Sequence, residues 1–445
     1  LSTIGPLGRP VKWGLVIHCL KEAILAASDD EGGKLDAQSL APHLKQLRSV
    51  LAVCRAGSTA RASQALPLSQ SAIARAIRQL EISLGAPLFE RGARGMLPTA
   101  EGRLLAHRAG RALAQLELAE AEAARLSDLG AGGGFEARRG RFSGACSHRH
   151  LQTYIAFCEA HGESAAARRL GVSQPAVNQT LRQVEHMLGV SLFQRSSRGM
   201  RLTESGEAVL RRAKLAVNEL RHAREDLGAL RGSMGGRVII GSLPLSAGVL
   251  VPRAVDRVLA RHRDLHVAIV DGTYDALLNQ LLHADVDVIV GALRPWAAGP
   301  EIVQETLFTD TLSVVARRGH PLLAEPPRSL RDLVDAPWIA PLAGTPAREA
   351  FERAFAADGL RAPQGLLEAN SAVVVQALLA DSDRLALLSR RQIVRGVSAG
   401  VLAVVPLEVK DTARQIGLTM RADADPGPAL RMLLDEIRVL AKDGL

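Results

Sequence analysis

Residues 47–102 and 151–206 align without a gap at an offset of 104, and 22 of the 56 aligned pairs are identical. The shared positions include Ser69/Ser173, Gln70/Gln174, Arg78/Arg182, Glu81/Glu185, Gly85/Gly189, Phe89/Phe193, Arg91/Arg195, Arg94/Arg198, Gly95/Gly199, Met96/Met200 and Thr99/Thr203. Chance gives a few matches over such a stretch, so one unit occurs twice. A repeat of this kind has to be settled before any single element is assigned.

Each copy opens on an apolar-periodic helix, with Leu47, Val50, Leu51 and Cys54 in one and Leu151, Tyr154, Ile155 and Cys158 in the other. A short helix carrying Ala62 and Leu66, or Ala166 and Leu170, comes next. A tight turn then ends on Ser69 or Ser173, the expected N-cap of a further helix that stops at Gly85 or Gly189. Two helices joined by a short turn, the second capped by a small polar residue, form a helix-turn-helix. Phe89 and Phe193 lie in short strands leading to a glycine-bearing turn with arginines at its tip, which makes the unit winged.

The second helix of such a unit enters the major groove and reads with its N-terminal end, where Gln or Asn pairs with adenine and Arg with guanine. The first copy offers Ser69, Gln70, Ser71, Arg75 and Arg78 there, and the second offers Ser173, Gln174, Pro175, Asn178, Gln179 and Arg182. Pro175 stands in the first turn, where a missing N–H does no harm. Arg91, Arg94, Arg195, Arg198 and Arg201 in the wings suit phosphate or minor-groove contact. The copies differ at Ser71/Pro175, Ala74/Asn178 and Arg75/Gln179, so two heads that both read DNA need not read the same sequence.

Long helices are expected after the wings, over 99–128 and 203–231. Apolar residues recur at alternating spacings of four and three: Leu105, Ala109, Ala112, Leu116, Ala119, Ala123 and Leu126, matched by Val209, Ala213, Ala216, Leu220, Ala223, Leu227 and Leu230. Both sets keep the seam of a helix pair. The heads are expected to pair through these seams within one chain. The glycine-rich stretch at 130–134 reads as part of a flexible linker over 129–148, long enough to carry the chain to a second head packed on the first.

Charge is unevenly spread. Residues 1–231 carry 32 Lys+Arg and 21 Asp+Glu, a net +11, whereas residues 232–445 carry 23 and 25, a net −2. A basic front half points to nucleic acid and a near-neutral rear half to something else. No uninterrupted apolar run is long enough for a membrane span, and the apolar stretch near the start is broken by His18, Lys21 and Glu22, which suits a signal peptide badly. Cys54 and Cys158 take equivalent apolar-face positions, which favours thiols over disulfides and a reducing cytoplasm. Cys146, His148 and His150 match no common zinc spacing. No GxSxG, HExxH or P-loop pattern is present, so neither catalysis nor a cofactor is expected.

The run Ser-Gln-Pro-Ala-Val (173–177), then Leu-Gly-Val-Ser-Leu-Phe-Gln-Arg (188–195), then Arg-Gly-Met-Arg-Leu-Thr (198–203) closely resembles the head of LysR-type transcriptional regulators. The first copy matches with more wear: Pro175 becomes Ser71, Arg201 becomes Leu97 and Leu202 becomes Pro98. The resemblance extends through most of 149–440 and departs from the family in having a second head at 43–128. It implies linker helices that pair and hold two heads on double-stranded DNA, a small-molecule effector, RNA polymerase as a further partner, and a homo-oligomer.

After Gly232, short β-rich runs alternate with helical ones. Strands are expected near 238–241, 267–270, 286–290, 312–316, 338–340, 385–388, 402–405 and 416–420, with helices between them, in parallel sheets with crossover helices. Ligands of such sheets bind beyond the carboxyl ends of the strands. The loops there hold Ser242, Pro244, Ser246, Thr273, Thr345, Asn370 and Ser371, several at helix N-termini that favour an anion, hence a carboxylate. The resemblance implies a two-lobed, periplasmic-binding-protein-like effector domain, lobe one at 236–309 plus 411–440 and lobe two at 312–405. The segment 385–392 with 415–418 looks like the branch tied to aromatic or sugar-derived acids.

The expected fold is thus α+β and multi-domain. It comprises an unassigned appendage at 1–42, a first winged helix-turn-helix with linker helix at 43–128, the linker at 129–148, a second such unit at 149–231, and the α/β effector domain at 232–445. A competing reading makes the rear half a periplasmic-type solute binder or interaction module, with the worn first head as a scaffold that does not touch DNA.

Overall fold

The computed structural model describes residues 39–443 apart from 93–94, 128–139, 161, 197–198, 295–298 and 364–366. The chain divides into two compact units between Leu227 and Gly228. Residues 1–38, with Cys19, and the wing tips with Arg94 and Arg198 lie outside the described residues.

The first unit starts on a 3-10 turn, Ala41–His43, and α1 (Leu44–Ala56). Then come α2 (Thr59–Ala65), α3 (Gln70–Leu84), β1 (Phe89–Gly92), β2 (Gly95–Pro98) and α4 (Ala100–Leu126). A short α5 (Arg141–Ala145) precedes the second copy, α6 (His148–Ala160), α7 (Glu163–Leu170), α8 (Gln174–Leu188), β3 (Phe193–Ser196), β4 (Gly199–Leu202) and α9 (Glu204–Leu230). The two copies therefore place like elements at like offsets. Gly85 and Gly189 close α3 and α8 in the left-handed conformation, φ +63° and +73°. Gly102 and Gly206 are required for a different reason. A Cβ on either would stand 2.1 Å from the Leu88 carbonyl oxygen or 2.3 Å from that of Leu192.

The serine caps differ between copies. Ser69 accepts from the Ala72 amide at 3.2 Å. The Ser173 hydroxyl makes no cap bond, because the equivalent amide, that of Ala176, donates to the Ser173 carbonyl at 3.0 Å.

The seams meet within the chain. Arg108 of α4 is buried and donates to Asp226 at 2.6 Å and Glu219 at 2.9 Å, both on α9. Arg212, at the position equivalent to Arg108, bonds to Glu122 and donates to Gln115 at 2.8 Å. Glu122 and Gln115 are the counterparts of Asp226 and Glu219 at the offset of 104. A contact from i to j answered by one from j to i is the signature of a two-fold relation. The helices run antiparallel, and Ser205 at the start of α9 donates to the Ala123 carbonyl near the end of α4. Leu105, Leu116, Val209 and Leu220 are fully buried, and both heads share one continuous apolar core. The last residue of each seam falls outside it, for Leu126 and Leu230 are 40% and 48% exposed.

Burial alone would lower the Arg108 pKa, but its bonds to Asp226 and Glu219 outweigh that and raise it above the usual value. Burial would likewise raise the Glu122 carboxyl, yet Arg212 and Arg211 hold it below the usual carboxylate value.

Two expected boundaries shift. The linker does not run to residue 148, because its end folds as α5. Glu120 of α4 accepts from the amides of Gly140 and Phe142 and the Ser143 hydroxyl, which satisfies the helix start. Arg48 of α1 donates to the carbonyls of Ser143 and Cys146 at the other end, each at 2.7 Å. Phe142 and Cys146 are buried beneath, which gives a physical reason for a stop that composition alone hides. At the front, Leu40 is buried and its amide donates to the Leu220 carbonyl at 3.1 Å, so residues from Ser39 belong to the head and not to an appendage.

The second unit has two five-stranded sheets. Its elements are β5 (Gly236–Ser242), α10 (Pro244–Ala247), α11 (Leu250–Arg261), β6 (Leu265–Asp271), α12 (Tyr274–Leu282), β7 (Val288–Ala292), β8 (Ile302–Asp310), β9 (Leu312–Arg317), β10 (Trp338–Ala340), α13 (Pro346–Ala357), β11 (Leu367–Glu368), α14 (Ala372–Ala380), β12 (Leu385–Ser389), α15 (Arg390–Ser398), β13 (Leu402–Val404), β14 (Arg414–Arg421) and α16 (Pro428–Lys442). The first sheet runs β6-β5-β7-β14-β8 and the second β11-β10-β12-β9-β13. The chain crosses between them twice, at 310–312 and again after β13.

The sheets are mixed and not parallel as expected. β14 is antiparallel to β7 and β8, and β9 is antiparallel to β12 and β13. Those strands flank the two crossings, where no helix intervenes to turn the chain round for a parallel entry. Strand β8 was absent from the expected set because Gln304, Glu305 and Thr306 break any apolar alternation in it.

Replacing Arg108 with Ala removes a fully buried guanidinium from between Asp226 and Glu219 and leaves Glu219 its pair with Arg111. It should destabilise the first unit by about 3–5 kcal/mol, seen as a lower midpoint for that unit's transition in denaturant unfolding of the full chain. An unchanged midpoint would show that the pairing does not depend on this ion pair.

Candidate nucleic-acid interface and interlobe cavity

Helices α3 and α8 each have one buried face, Ile73, Ile77 and Leu80 in one and Val177, Leu181 and Val184 in the other. The equivalent register leaves Gln70, Ser71, Arg75 and Arg78 exposed in the first head, and Gln174, Pro175, Gln179 and Arg182 in the second. All sit in the first three turns, the end that reads base edges in this motif.

Several reading side chains are held by the helix before. Gln174 Nε2 donates to Ser164 Oγ at 2.6 Å, and Asn178 Nδ2 donates to Glu163 Oε2 at 2.7 Å. In the first head, Gln70 Nε2 donates to Thr59 Oγ1 at 3.2 Å. Glu163 was not among the expected residues. Its signal is its position, one residue into α7 and facing Asn178 across the turn. Along α8 an open groove of about 920 Å³ is lined by Glu163, Gln174, Asn178, Gln179 and Arg182 together with His150 and Ala145. Arg195 and Arg201 are exposed on the second wing, and Leu97, in the place of Arg201, is 52% exposed. Ser69 and Ser173 serve as helix starts, and Arg91 lies on β1.

In the second unit a cavity of about 280 Å³ lies between the lobes. That is just below the usual range of small-molecule sites, roughly 300–1,000 Å³. Three helix N-termini border it. Thr273, Thr345 and Ser371 cap α12, α13 and α14, each accepting from a backbone amide in the first turn. Of the expected residues, Pro244, Thr273, Thr345 and Asn370 line the cavity, and Ser371 caps its helix without lining it. Ser242 and Ser246 are corrections. Both are fully buried and bonded to each other at 3.1 Å, and Ser246 Oγ also donates to the Val290 carbonyl at 2.6 Å. They hold the β5–β7 junction together and have no hydroxyl to spare for a ligand.

Arg294 was missed, although it stands two residues beyond the carboxyl end of β7, where the topology puts a site. Its guanidinium carbon lies 4.3 Å from the centre of the Tyr274 ring, one terminal nitrogen lies 3.8 Å from the exposed carboxylate of Asp275, and its buried Nε has no hydrogen-bond partner among the described residues. Burial raises the Tyr274 pKa in spite of bonds and charges that lower it, so the phenol stays protonated. Arg414 also lines the cavity and pairs at 3.0 Å with Asp310, which in turn accepts from Ser389 Oγ at 2.6 Å. Three helix N-termini and an arginine with unspent donor capacity make a cavity suited to a small anion.

Comparison with known proteins gives a consistent picture. The profile of the bacterial regulatory helix-turn-helix protein, lysR family, matches twice, at 44–103 and 148–207, and that of the LysR substrate binding domain matches 231–441. The transcriptional regulator GalR of Pseudomonas putida is 38% identical over 402 residues, covering 89% of this chain and 97% of that protein. Such coverage runs through both heads. PcaQ of Agrobacterium fabrum is 34% identical over 293 residues, 66% of this chain and 94% of its own length. Among solved structures, a full-length OxyR variant from Pseudomonas aeruginosa covers 65% of this chain and 94% of its own, at 21% identity and a TM-score of 0.52, a likeness of fold.

Replacing Gln174 and Asn178 with Ala should flatten sequence preference in gel-shift titrations while leaving the salt dependence near its original slope. Replacing Arg195 with Ala should instead reduce that slope by about 1. Binding indifferent to both sets would remove α8 and its wing from the interface.

Proposed function

We infer that this chain, which belongs to the LysR family of helix-turn-helix transcriptional regulators, carries in one subunit the pair of DNA-reading heads that a two-fold dimer would assemble from two. The observation that supports this most directly is the reciprocal ion pairing of α4 with α9, Arg108 to Asp226 and Arg212 to Glu122. A single chain then engages both half-sites of an operator on double-stranded DNA, roughly 34–36 Å apart. Pairing through the linker helices is thereby used up within the subunit, so a homo-oligomer would form through other surfaces. RNA polymerase is the downstream partner of a regulator of this kind.

The rear half supplies the control. The interlobe cavity takes a small carboxylate, its charge met by Arg294 and the N-termini of α12, α13 and α14. The 280 Å³ volume and the Tyr274 face suit a single-ring or sugar-sized acid. Membership of the family sets aside a free-standing solute binder. The scaffold reading of the first head keeps one observation in its favour, the exposed Leu97 where the second head has Arg201.

Footprinting decides between them. Replacing both Arg75 and Arg78 with Ala in the full chain should remove protection over one half-site and leave the other intact, whereas an unchanged footprint makes the first head a scaffold. For the cavity, a panel of small mono- and dicarboxylates is expected to yield at least one that raises the melting temperature of the parent chain and fails to raise that of R294A. Equal shifts in both chains would move the anion elsewhere.

A further inference from the structure

We propose that the two heads read different bases at one equivalent position, with Arg75 selecting guanine where Gln179 selects adenine, so that the chain's operator is asymmetric at that step. This rests on the reading above that both heads engage DNA.

Both helices belong to one chain and share one register. Each has 15 residues, starts one residue after an equivalent serine and ends at an equivalent left-handed glycine. The cores of the buried faces correspond, Ile73 with Val177, Ile77 with Leu181 and Leu80 with Val184, although α8 also buries Thr180 and Leu188, so the exposed faces share one register. The pairing of α4 and α9 relates the heads by a two-fold, which carries that equivalence to the DNA. Identical residues on this face, Gln70/Gln174 and Arg78/Arg182, fix a common frame, and what differs within it is the specificity difference.

Arg75 and Gln179 are both exposed and lie five residues beyond that shared glutamine, on the groove-facing side. Arginine offers two parallel donors, which match O6 and N7 of guanine. Glutamine offers one donor and one acceptor, which match N7 and N6 of adenine. Neither side chain meets the other's base in bidentate fashion.

A neighbouring difference acts in the same direction. The second head holds Asn178 against Glu163, whereas the first has Ala74 and Thr59 at those places. Of these reading-surface residues, the first head has two arginines and no carboxylate, and the second has one arginine and one carboxylate. A carboxylate there accepts from exocyclic amino groups and repels guanine's acceptor pair, which adds to the contrast between halves.

The test is in vitro selection from a randomised duplex library with the full chain, R75Q and Q179R, all at one salt concentration. The parent should enrich a site of two unlike halves, guanine in one and adenine in the other at the equivalent step. R75Q should convert that guanine to adenine, and Q179R the adenine to guanine, each in one half only. Direct titration should show each exchange shifting the preference by roughly 5- to 150-fold. Two identical halves, or variants that lower affinity for all sequences alike, would overturn the proposal while leaving DNA binding intact. Enrichment of a lone half-site would overturn it by showing that one head does not read. No enrichment at all would overturn the DNA-binding reading as well.

Discussion

The reciprocal pairing of Arg108 and Arg212 with carboxylates on the opposite long helix is the interaction on which the front half depends. Arg108 is deeply buried and Arg212 half-buried, both costly to desolvate, and they are tolerated because each guanidinium meets partners on both sides of its fork. Geometry follows from that requirement. Only an antiparallel crossing in one register brings Arg108 to Asp226 and Arg212 to Glu122 together. The alanine-rich seams set how closely α4 and α9 approach, and the ion pairs set where along their length they meet. The two reading helices inherit their relation from that register.

The same requirement accounts for the short helix between the copies. Glu120 and Arg48 are buried polar groups in the first head, and without α5 they would have no role in its interior. Glu120 gathers the amides that start α5, and Arg48 takes the carbonyls that end it. A five-residue helix has little stability of its own, so its existence depends on these contacts and on the burial of Phe142. The corresponding segment of the first copy leans on α9 through Leu40. The segment leading into each head is thus braced by the other copy's long helix, in a nearly symmetric arrangement built from unlike residues.

Much of this was legible beforehand because the repeat supplies its own control. A seam found twice, or a glycine stop found twice, is better supported than either alone. Each expected seam runs one residue too far at its C-terminal end, since periodicity says nothing about where a partner runs out, and Leu126 and Leu230 pass beyond the crossing. The second unit was harder. Its helices stand between strands as expected, but β8 is absent from the expected set because an antiparallel strand with one exposed face tolerates Gln304, Glu305 and Thr306 in sequence. Serine is also an ambiguous signal. Ser242 and Ser246 sit in the loop where a ligand would be sought, yet their hydroxyls are spent on each other and on Val290. Arg294 carries the stronger signal, a cation just past the carboxyl end of a buried strand, and it takes its meaning from Tyr274, the first residue of α12, whose ring it covers.

On the proposal that both heads read DNA, their covalent connection changes how the protein responds to its own abundance. Two heads on separate subunits must first find each other, so the population able to grip both half-sites falls with the square of concentration when subunits are scarce. Heads joined in one chain and packed on one core need no second molecule to come together, whatever the number of molecules in the cell. Occupancy of a two-part operator then varies with the first power of chain concentration. A handful of copies keeps a full reading surface intact, and the threshold that dimerisation imposes on scarce regulators does not arise at this step.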